Sequence, residues 1–192
     1  MISNLEELSL DNKSIRMILD CELSPELFSN VKVVKLCFFA SKSVFSLFGF
    51  LQRLPNLENL IVESCALKEL FLIEDAMILP LPRVRAVKLD GVHDLKNIWK
   101  TSSLLQSPLF EYLETLEVRS CDDLIDLAPS SASFQNLTTV KIYECNGLKN
   151  LFTPSVAKTL VQLARLTAKS CVSLTEIVAS EQSGTIDEIV FS

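Results

Sequence analysis

The sequence predicts an α/β solenoid, a horseshoe with a curved parallel sheet of about seven strands on its concave face and short helices and turns on its convex face. Three observations predict this fold class. An apolar pattern of the form LxxLxL occurs seven times, and its copies follow one another at near-constant spacing. Each copy is a single short strand that cannot cover its own apolar edge, so stability requires that the copies stack on one another.

The clearest copy spans residues 113–127, LETLEVRSCDDLIDL, in which Leu113, Leu116 and Val118 carry the apolar pattern and Cys121 occupies the ninth position. The seven copies begin at Leu5, Val31, Leu57, Val84, Leu113, Leu137 and Leu163, with steps of 26, 26, 27, 29, 24 and 26 residues. Their first, fourth and sixth positions are always apolar. This period and pattern are those of a leucine-rich repeat, whose strands are parallel because each turn returns in the same direction. We therefore expect residues 1–192 to form a single leucine-rich-repeat domain that is a piece of a longer array.

Three segments between the predicted strands carry helical signals: residues 24–28, 44–51 and 153–161. Residues 44–51 place apolar side chains at i, i+3, i+4 and i+7, which is one face of a helix. In the last segment, Thr153 can cap a helix whose first residue is a proline. The interval 128–134 is too short and too rich in serine for a full helix, and it matches the shortest step between copies.

Composition and charge exclude several classes of function. The 192-residue chain has a formal net charge of −6, which disfavours a general attraction to nucleic acid or to an anionic membrane. No run of 18 or more apolar residues occurs, so no transmembrane segment is predicted. The sequence lacks a glycine-rich phosphate loop, a metal-ligand set and a nucleophile elbow, so it predicts no enzyme, no cofactor and no metal site.

Candidate binding residues come from the alternation of side chains along a strand. If the fourth and sixth positions point into the core, the third, fifth and seventh point to the concave surface. The seventh-position column runs from acidic to basic: Asp11, Cys37, Glu63, Asp90, Arg119, Tyr143 and Lys169. The predicted protein-binding residues are Glu63, Lys88, Asp90, Glu117, Arg119, Lys141, Tyr143, Arg165 and Lys169. Two interpretations stay open, namely a patch for an acidic partner surface and an ordinary solvated sheet.

Cysteines recur at the ninth position of the repeat: Cys65, Cys121, Cys145 and Cys171. We expect them to be buried side chains that turn the chain after each strand, with the S–H as a weak donor to a backbone carbonyl. Three neighbouring copies cannot all pair, which favours reduced thiols. His93 and the cluster of Asp122, Asp123 and Asp126 are interpreted as solvated turn residues.

Four segments carry a resemblance more specific than the period: LPNLENLIVESCALKELF, YLETLEVRSCDDLIDLAP, FQNLTTVKIYECNGLKNLF and LVQLARLTAKSCVSLTEIVASE. They resemble the C-terminal repeats of plant intracellular immune receptors, the nucleotide-binding leucine-rich-repeat (NLR) proteins of the coiled-coil class. The resemblance covers residues 55–192 well. The first two copies, with Lys13 and Phe39 at the ninth position, fit less closely.

The resemblance implies a non-catalytic, cytoplasmic recognition domain that senses pathogen effectors or modified host proteins. It also implies a contribution to autoinhibition, with the nucleotide-binding module of the same receptor as a second protein partner. An alternative is the substrate-recognition repeat domain of an F-box ubiquitin-ligase adaptor, which also places Cys at the ninth position. Those repeats usually continue with an Ile-Thr-Asp turn, whereas this chain has ALKEL, DLIDL, GLKNL and SLTEI.

Overall fold

Seven strands form one parallel sheet, which confirms the predicted leucine-rich-repeat solenoid. The computed structural model describes residues 4–20, 25–38, 50–51, 53–73, 83–101 and 111–180. The strands of this sheet are β1 (Glu7–Leu10), β2 (Val33–Cys37), β3 (Asn59–Glu63), β5 (Ala86–Asp90), β7 (Thr115–Arg119), β8 (Thr139–Tyr143) and β10 (Arg165–Lys169). They lie side by side in chain order, as expected when each turn of the coil adds one strand.

The register of the sheet aligns each repeat position with the same position in the next copy. Glu63, Asp90 and Arg119, for example, are successive partners across β3, β5 and β7. Within β7, Leu116 and Val118 are at most 1% exposed, whereas Glu117 between them is partly exposed. The predicted inward direction of the fourth and sixth positions is therefore confirmed. We call the opposite, outward side of this sheet the concave face.

A left-handed residue follows six of the seven strands, at the eighth position of the repeat, whereas β1 is followed by a helix that begins at Asn12. Phe38, Ser64, Gly91, Ser120, Glu144 and Ser170 all have φ between 51° and 61°. Five of these six residues carry a Cβ, so the conformation is imposed by the repeat and not by glycine alone. The kink turns the ninth side chain back toward the core.

The cysteines at the ninth position have the structural role that the sequence predicts. Cys65, Cys121 and Cys145 are at most 1% exposed, and Cys171 in the last turn is partly exposed. Each thiol donates to the carbonyl oxygen two residues back, at Sγ–O distances of 3.2 Å for Cys65, 3.3 Å for Cys121, 3.2 Å for Cys145 and 3.4 Å for Cys171. This weak hydrogen bond closes the turn around the left-handed residue.

Helical elements are short in the part of the chain that the structure describes. They are α1 (Asn12–Asp20), a 3-10 helix (Pro25–Phe28) and α2 (Pro154–Ala157), and residues 50–51 are also helical. Thr153 caps α2 by accepting the Val156 N–H at 3.4 Å, as predicted, but the helix ends earlier than residue 161. Most of the helix predicted over 44–51 lies outside the described residues.

The sequence did not predict α1, and it placed Asp11 at the end of a concave column. In the structure, Asp11 follows β1 and caps α1, because its carboxylate accepts the Ser14 N–H at 2.8 Å and the Ser14 hydroxyl at 2.7 Å. These hydrogen bonds lower the pKa of Asp11. Asp11 therefore belongs to a helix N-terminus and not to the concave column.

The convex side contains extended structure that the sequence did not predict. Two small parallel sheets are formed there, by β4 (Glu69–Ile73) with β6 (Asn97–Thr101) and by β9 (Asn150–Phe152) with β11 (Glu176–Val178). Between the two sheets, Asp126 makes a single bridge with Asn97, because the 24-residue repeat is too short to add a strand. The solenoid therefore has a notch on this side.

The core is continuous through the described turns and opens at the last one. Val140 and Ile142 of β8 are fully buried, whereas Leu166 and Ala168 at the same positions of β10 are partly exposed and exposed, respectively. A middle strand is covered by neighbours on both sides, but β10 has only β8 beside it among the described strands. Burial in this fold is thus supplied by adjacent turns.

Candidate protein-binding surface

All nine residues predicted for binding lie on the concave face. Seven of them, on β3, β5, β7 and β8, are partly exposed, and the two on β10, Arg165 and Lys169, are exposed. The outward positions of the seven strands carry six basic and four acidic side chains in total. The concave face is therefore slightly positive in a chain whose net charge is −6.

Acidic and basic side chains in the middle of this face pair with one another across strands. Glu63 lies between two lysines, with its carboxylate 2.7 Å from Lys35 Nζ and 3.6 Å from Lys88 Nζ. Lys88 Nζ also lies 3.8 Å from the carboxylate of Asp90. The charges that the sequence placed in separate columns thus form one connected network.

The network continues into the next two strands through Arg119. Its Nε lies 3.9 Å from Asp90 Oδ2, and its guanidinium stacks on the ring of Tyr143 with Cζ 4.7 Å from the centroid. We call Lys35, Glu63, Lys88, Asp90, Arg119 and Tyr143 the charge ladder. A cation over an aromatic face is attracted by the ring quadrupole, so Tyr143 stabilises the end of the ladder.

The shortest contact of the charge ladder perturbs both of its partners. The hydrogen bond from Lys35 lowers the pKa of Glu63 below its ordinary value of 4.5, and the positive charge of Lys88 acts in the same direction. The same hydrogen bond to Glu63 raises the pKa of Lys35 above 10.5. Both side chains therefore stay ionised over a wider pH range than free ones do.

A second pair neutralises part of the basic end of the face. Lys141 on β8 donates to Glu117 on β7 at an Nζ–Oε2 distance of 3.3 Å. Lys141 and Glu117 are register partners on neighbouring strands, which is the geometry that favours cross-strand ion pairs. Of the basic residues predicted for binding, Lys88, Arg119 and Lys141 thus have acidic neighbours within the fold.

Arg165 and Lys169 differ from the other basic residues of the face. Both side chains are exposed, and neither forms an ion pair with a residue that the structure describes. Arg165 donates from Nε and Nη2 to Thr139 Oγ1, at 3.4 Å and 3.3 Å. These contacts to a side chain on β8 hold the guanidinium over the sheet.

Two residues near this surface were not among the predicted binding residues. Lys35 makes the shortest ion pair of the face, but its partner is 28 residues away, and sequence spacing gives no sign of the pairing. Phe38 is 76% exposed at the left-handed eighth position of the repeat, beside the end of β2. The other described copies have Asn, Ser, Gly or Glu there, so a large apolar residue at this position is the signal that could have found Phe38.

The turn residues behave as the sequence indicates. Asp122 accepts hydrogen bonds from the backbone N–H and the side-chain amide of Asn146, at 3.2 Å and 2.8 Å, and Asp123 accepts the Asp94 N–H at 3.0 Å. His93 is exposed, as predicted, but it forms an isolated β-bridge with Ala66 and is not a turn residue. Within the described residues, no group of three or more His, Cys, Asp or Glu side chains is arranged to hold a metal ion.

The convex notch forms a cavity of about 260 Å³. Its lining includes Trp99, Asn97, Asp126 and Thr153. The indole of Trp99 packs on Phe134 of the following turn, with ring centroids 6.1 Å apart. The notch follows from the missing convex strand of the short repeat, and its lining offers no nucleophile paired with a base.

One comparison with known proteins identified a family, and two gave no match. The family model of the leucine-rich repeats of plant disease resistance proteins of the RPS2-like type matches residues 4–133 and 130–172. A search of curated proteins and a search of solved structures each gave no match.

Among the described residues, no helix is long and apolar enough to cross a lipid bilayer. The fold agrees with the family model. The repeat boundaries, the seven-stranded parallel sheet and the cysteine turns all fall within the matched residues. The chain therefore belongs to the leucine-rich repeats of the RPS2-like plant disease resistance proteins.

Proposed function

We propose that this chain is the recognition domain of a plant immune receptor, and that it senses pathogen effectors or modified host proteins in the cytoplasm. The observation that carries the proposal is the family match over almost the whole described chain. The concave face supports it, because its outward positions differ from strand to strand while the inward positions repeat. Such a surface can vary its contacts without disturbing the core.

A steric block of the concave face tests this recognition role. Asn59→Arg with Thr115→Arg places two large side chains on partly exposed concave positions and leaves the core unchanged. The control is Ser130→Arg with Ser155→Arg, at exposed positions away from the concave face. In the full-length receptor expressed in leaf tissue with its effector, the concave variant should lose the cell-death response and the control should keep it. A full response from the concave variant would contradict recognition through this face.

We further propose that the domain contributes to autoinhibition of the nucleotide-binding module of the same receptor. The support is the family match alone. A receptor that lacks this segment should trigger cell death without an effector, whereas the full-length receptor should not. A truncated receptor that stays silent, at equal protein level, would argue against a restraining role.

The F-box adaptor alternative has no supporting observation, because the family match is to disease resistance proteins. Co-purification of a Skp-type ubiquitin-ligase subunit with the full-length protein would be the result that revives it.

A further inference from the structure

The C-terminal third of the concave face carries positive charge that the rest of the face does not neutralise. The carboxylates of Glu63 and Asp90 form ion pairs with the basic side chains of the charge ladder, and the carboxylate of Glu117 pairs with Lys141. Arg165 and Lys169 lie beyond these pairs, on β10. In the described part of the chain, no carboxylate reaches either of them.

Arg165 is already held in a geometry suited to a carboxylate. Two of its five N–H donors are directed to Thr139 Oγ1, so the guanidinium plane is fixed relative to the sheet. The residue as a whole is exposed. A guanidinium that is positioned before binding loses less conformational freedom when it takes up a carboxylate in a bidentate contact.

The sheet sets the distances between the cations. Arg165 and Lys169 are four residues apart on one strand and point to the same side, so their Cα atoms are about 13 Å apart. Lys141 is on β8, where it pairs in register with Thr167, midway between them and roughly 4.8 Å across the sheet. Three cations thus surround Thr167, of which Lys141 is paired with Glu117 and the two on β10 are not paired with a described carboxylate. Tyr143 lies opposite Lys169.

We propose that this surface, made by Lys141, Tyr143, Arg165 and Lys169, docks an extended acidic segment of a partner protein with two carboxylates four residues apart. An extended chain places residues i and i+4 at the same spacing as Arg165 and Lys169, on the same side. The inference rests on the proposed recognition function and specifies the chemistry of the partner.

Charge favours an acidic protein segment over nucleic acid. Single-stranded nucleic acid is bound by a long basic track with exposed aromatic platforms. Here the basic surface is confined to two strands, the whole chain carries −6, and the face of Tyr143 is covered by Arg119. Short, local ion pairs with carboxylates fit this arrangement.

The test is an amide NMR titration of the 192-residue chain with two blocked peptides of equal composition and charge. One peptide, Glu-Ser-Ser-Ser-Glu, has its carboxylates four residues apart. The other, Ser-Glu-Glu-Ser-Ser, has them adjacent, so that they point to opposite sides of an extended chain. We expect the first peptide to bind at least threefold more tightly, with shifts centred on 139–143 and 165–169.

Charge reversal gives the second readout. Arg165→Glu with Lys169→Glu should weaken binding of the first peptide at least tenfold. The matched control is Lys96→Glu with Lys149→Glu, which changes the net charge equally at exposed turn positions and should leave binding unchanged. Since Arg165→Glu also removes the contacts to Thr139, Lys169→Glu alone and Arg165→Gln with Lys169→Gln serve as milder variants.

Three results would overturn the proposal: equal affinity for the two peptides, equal weakening by the two double variants, or binding of a five-residue oligothymidylate as tight as that of the acidic peptide. Failure here is separable from failure of the proposed function. If concave-face substitutions abolish the effector response but the domain does not bind the peptide with spaced carboxylates, only the acidic-partner proposal is refuted. If the domain binds the peptide but concave-face substitutions leave the effector response unchanged, only the recognition role is refuted.

Discussion

Arg119 stacks on Tyr143 across two neighbouring strands, with the guanidinium carbon 4.7 Å from the ring centroid. The two residues are register partners of β7 and β8, so the contact is built into the sheet and does not depend on a flexible loop. Asp90 lies on the other side of Arg119, 3.9 Å from its Nε. Arg119 thus links neighbouring strands of the concave face, and the exposed positive charge lies on β10, two strands away from Arg119.

The Arg119–Tyr143 contact should be measurable as a coupling between the two side chains. In a double-mutant cycle with Arg119→Ala and Tyr143→Ala, we expect a coupling of about 0.5–1 kcal/mol in the free energy of unfolding. Urea unfolding of the four proteins provides the measurement. Tyr143→Phe is the control, because it keeps the aromatic face, and it should retain most of the coupling. Strictly additive losses in the cycle would show that the stacking contributes nothing.

Glu63 should make stability depend on pH in a defined direction. Its pKa is lowered in the folded chain, chiefly by the hydrogen bond from Lys35, so its contribution is present above the unfolded value and is lost as pH falls through the lower folded value. Glu63→Gln should therefore unfold at lower urea concentration than the wild type at pH 7. The difference should shrink as pH falls below 4.5, the ordinary value of a glutamate pKa.

The same pair predicts the behaviour on the alkaline side. The pKa of Lys35 is raised by the hydrogen bond to Glu63, so the stabilisation is complete below pH 10.5 and is lost as pH rises through the higher folded pKa.

The control for Glu63→Gln is Glu114→Gln, which removes a longer ion pair, 3.7 Å to Arg85, with both side chains about half exposed. It should cost less stability at pH 7 than Glu63→Gln. A difference between Glu63→Gln and wild type that is constant from pH 3 to pH 7 would contradict the account.

The repeated strands could be predicted from sequence because two constraints coincide at each position. Leu116 must be apolar to fill the core, and a period of two along the strand then forces Glu117 outward. The convex strands could not be predicted in this way. Leu95, just before β6, and Ile98, within it, are both fully buried and three residues apart, a spacing that suits a helix turn as well as an irregular extended segment.

The candidate site was predictable in its members but not in its internal contacts. The alternation placed Glu63 and Arg119 on the concave face correctly. Which basic side chain pairs with each carboxylate depends on how far the side chains extend across strands, as between Lys35 and Glu63. Such pairing gives no periodic pattern in the sequence. In the middle of the face the acidic and basic side chains pair with one another.

Core burial should decline at the last described turn. Leu116 and Leu166 occupy the same fourth position of the repeat, but Leu116 is 1% exposed and Leu166 is only partly buried. Leu116→Ala should lower the free energy of unfolding by about 2–5 kcal/mol, and Leu166→Ala by less than about half of that. Urea denaturation followed by circular dichroism compares them. Equal losses would mean that β10 is covered as completely as β7.

The two described glycines should tolerate alanine differently. A Cβ on Gly147 would lie 2.6 Å from the carbonyl oxygen of Leu124 and closer still to that of Asp122, so the backbone of the preceding turn would have to shift. Gly147→Ala should destabilise the fold by about 1–3 kcal/mol. A Cβ on Gly91 would make only an ordinary van der Waals contact, 3.9 Å from the backbone of Ser64, and its φ of 61° is a conformation that Ser64 and Ser120 already adopt in neighbouring copies. Gly91→Ala should therefore cost about 1 kcal/mol or less. The reverse order in thermal or urea unfolding would refute the close approach at Gly147.

The cysteines should divide into two classes in their reaction with a thiol reagent. The hydrogen bond with Cys145 and burial both raise the pKa of Cys121, and its side chain is fully buried. In the native state Cys121 therefore stays a thiol and the reagent cannot reach it. Cys37 and Cys171 are free thiols with partial exposure. With Cys21→Ser as background, native protein should expose two fast thiols, identified by mass spectrometry as Cys37 and Cys171. Cys121 and Cys145 should react at least about 100-fold more slowly, at the rate of structural opening, and reach the fast rate in urea. Equal native rates for Cys121 and Cys171 would show that the ninth position is not sealed by the neighbouring turns.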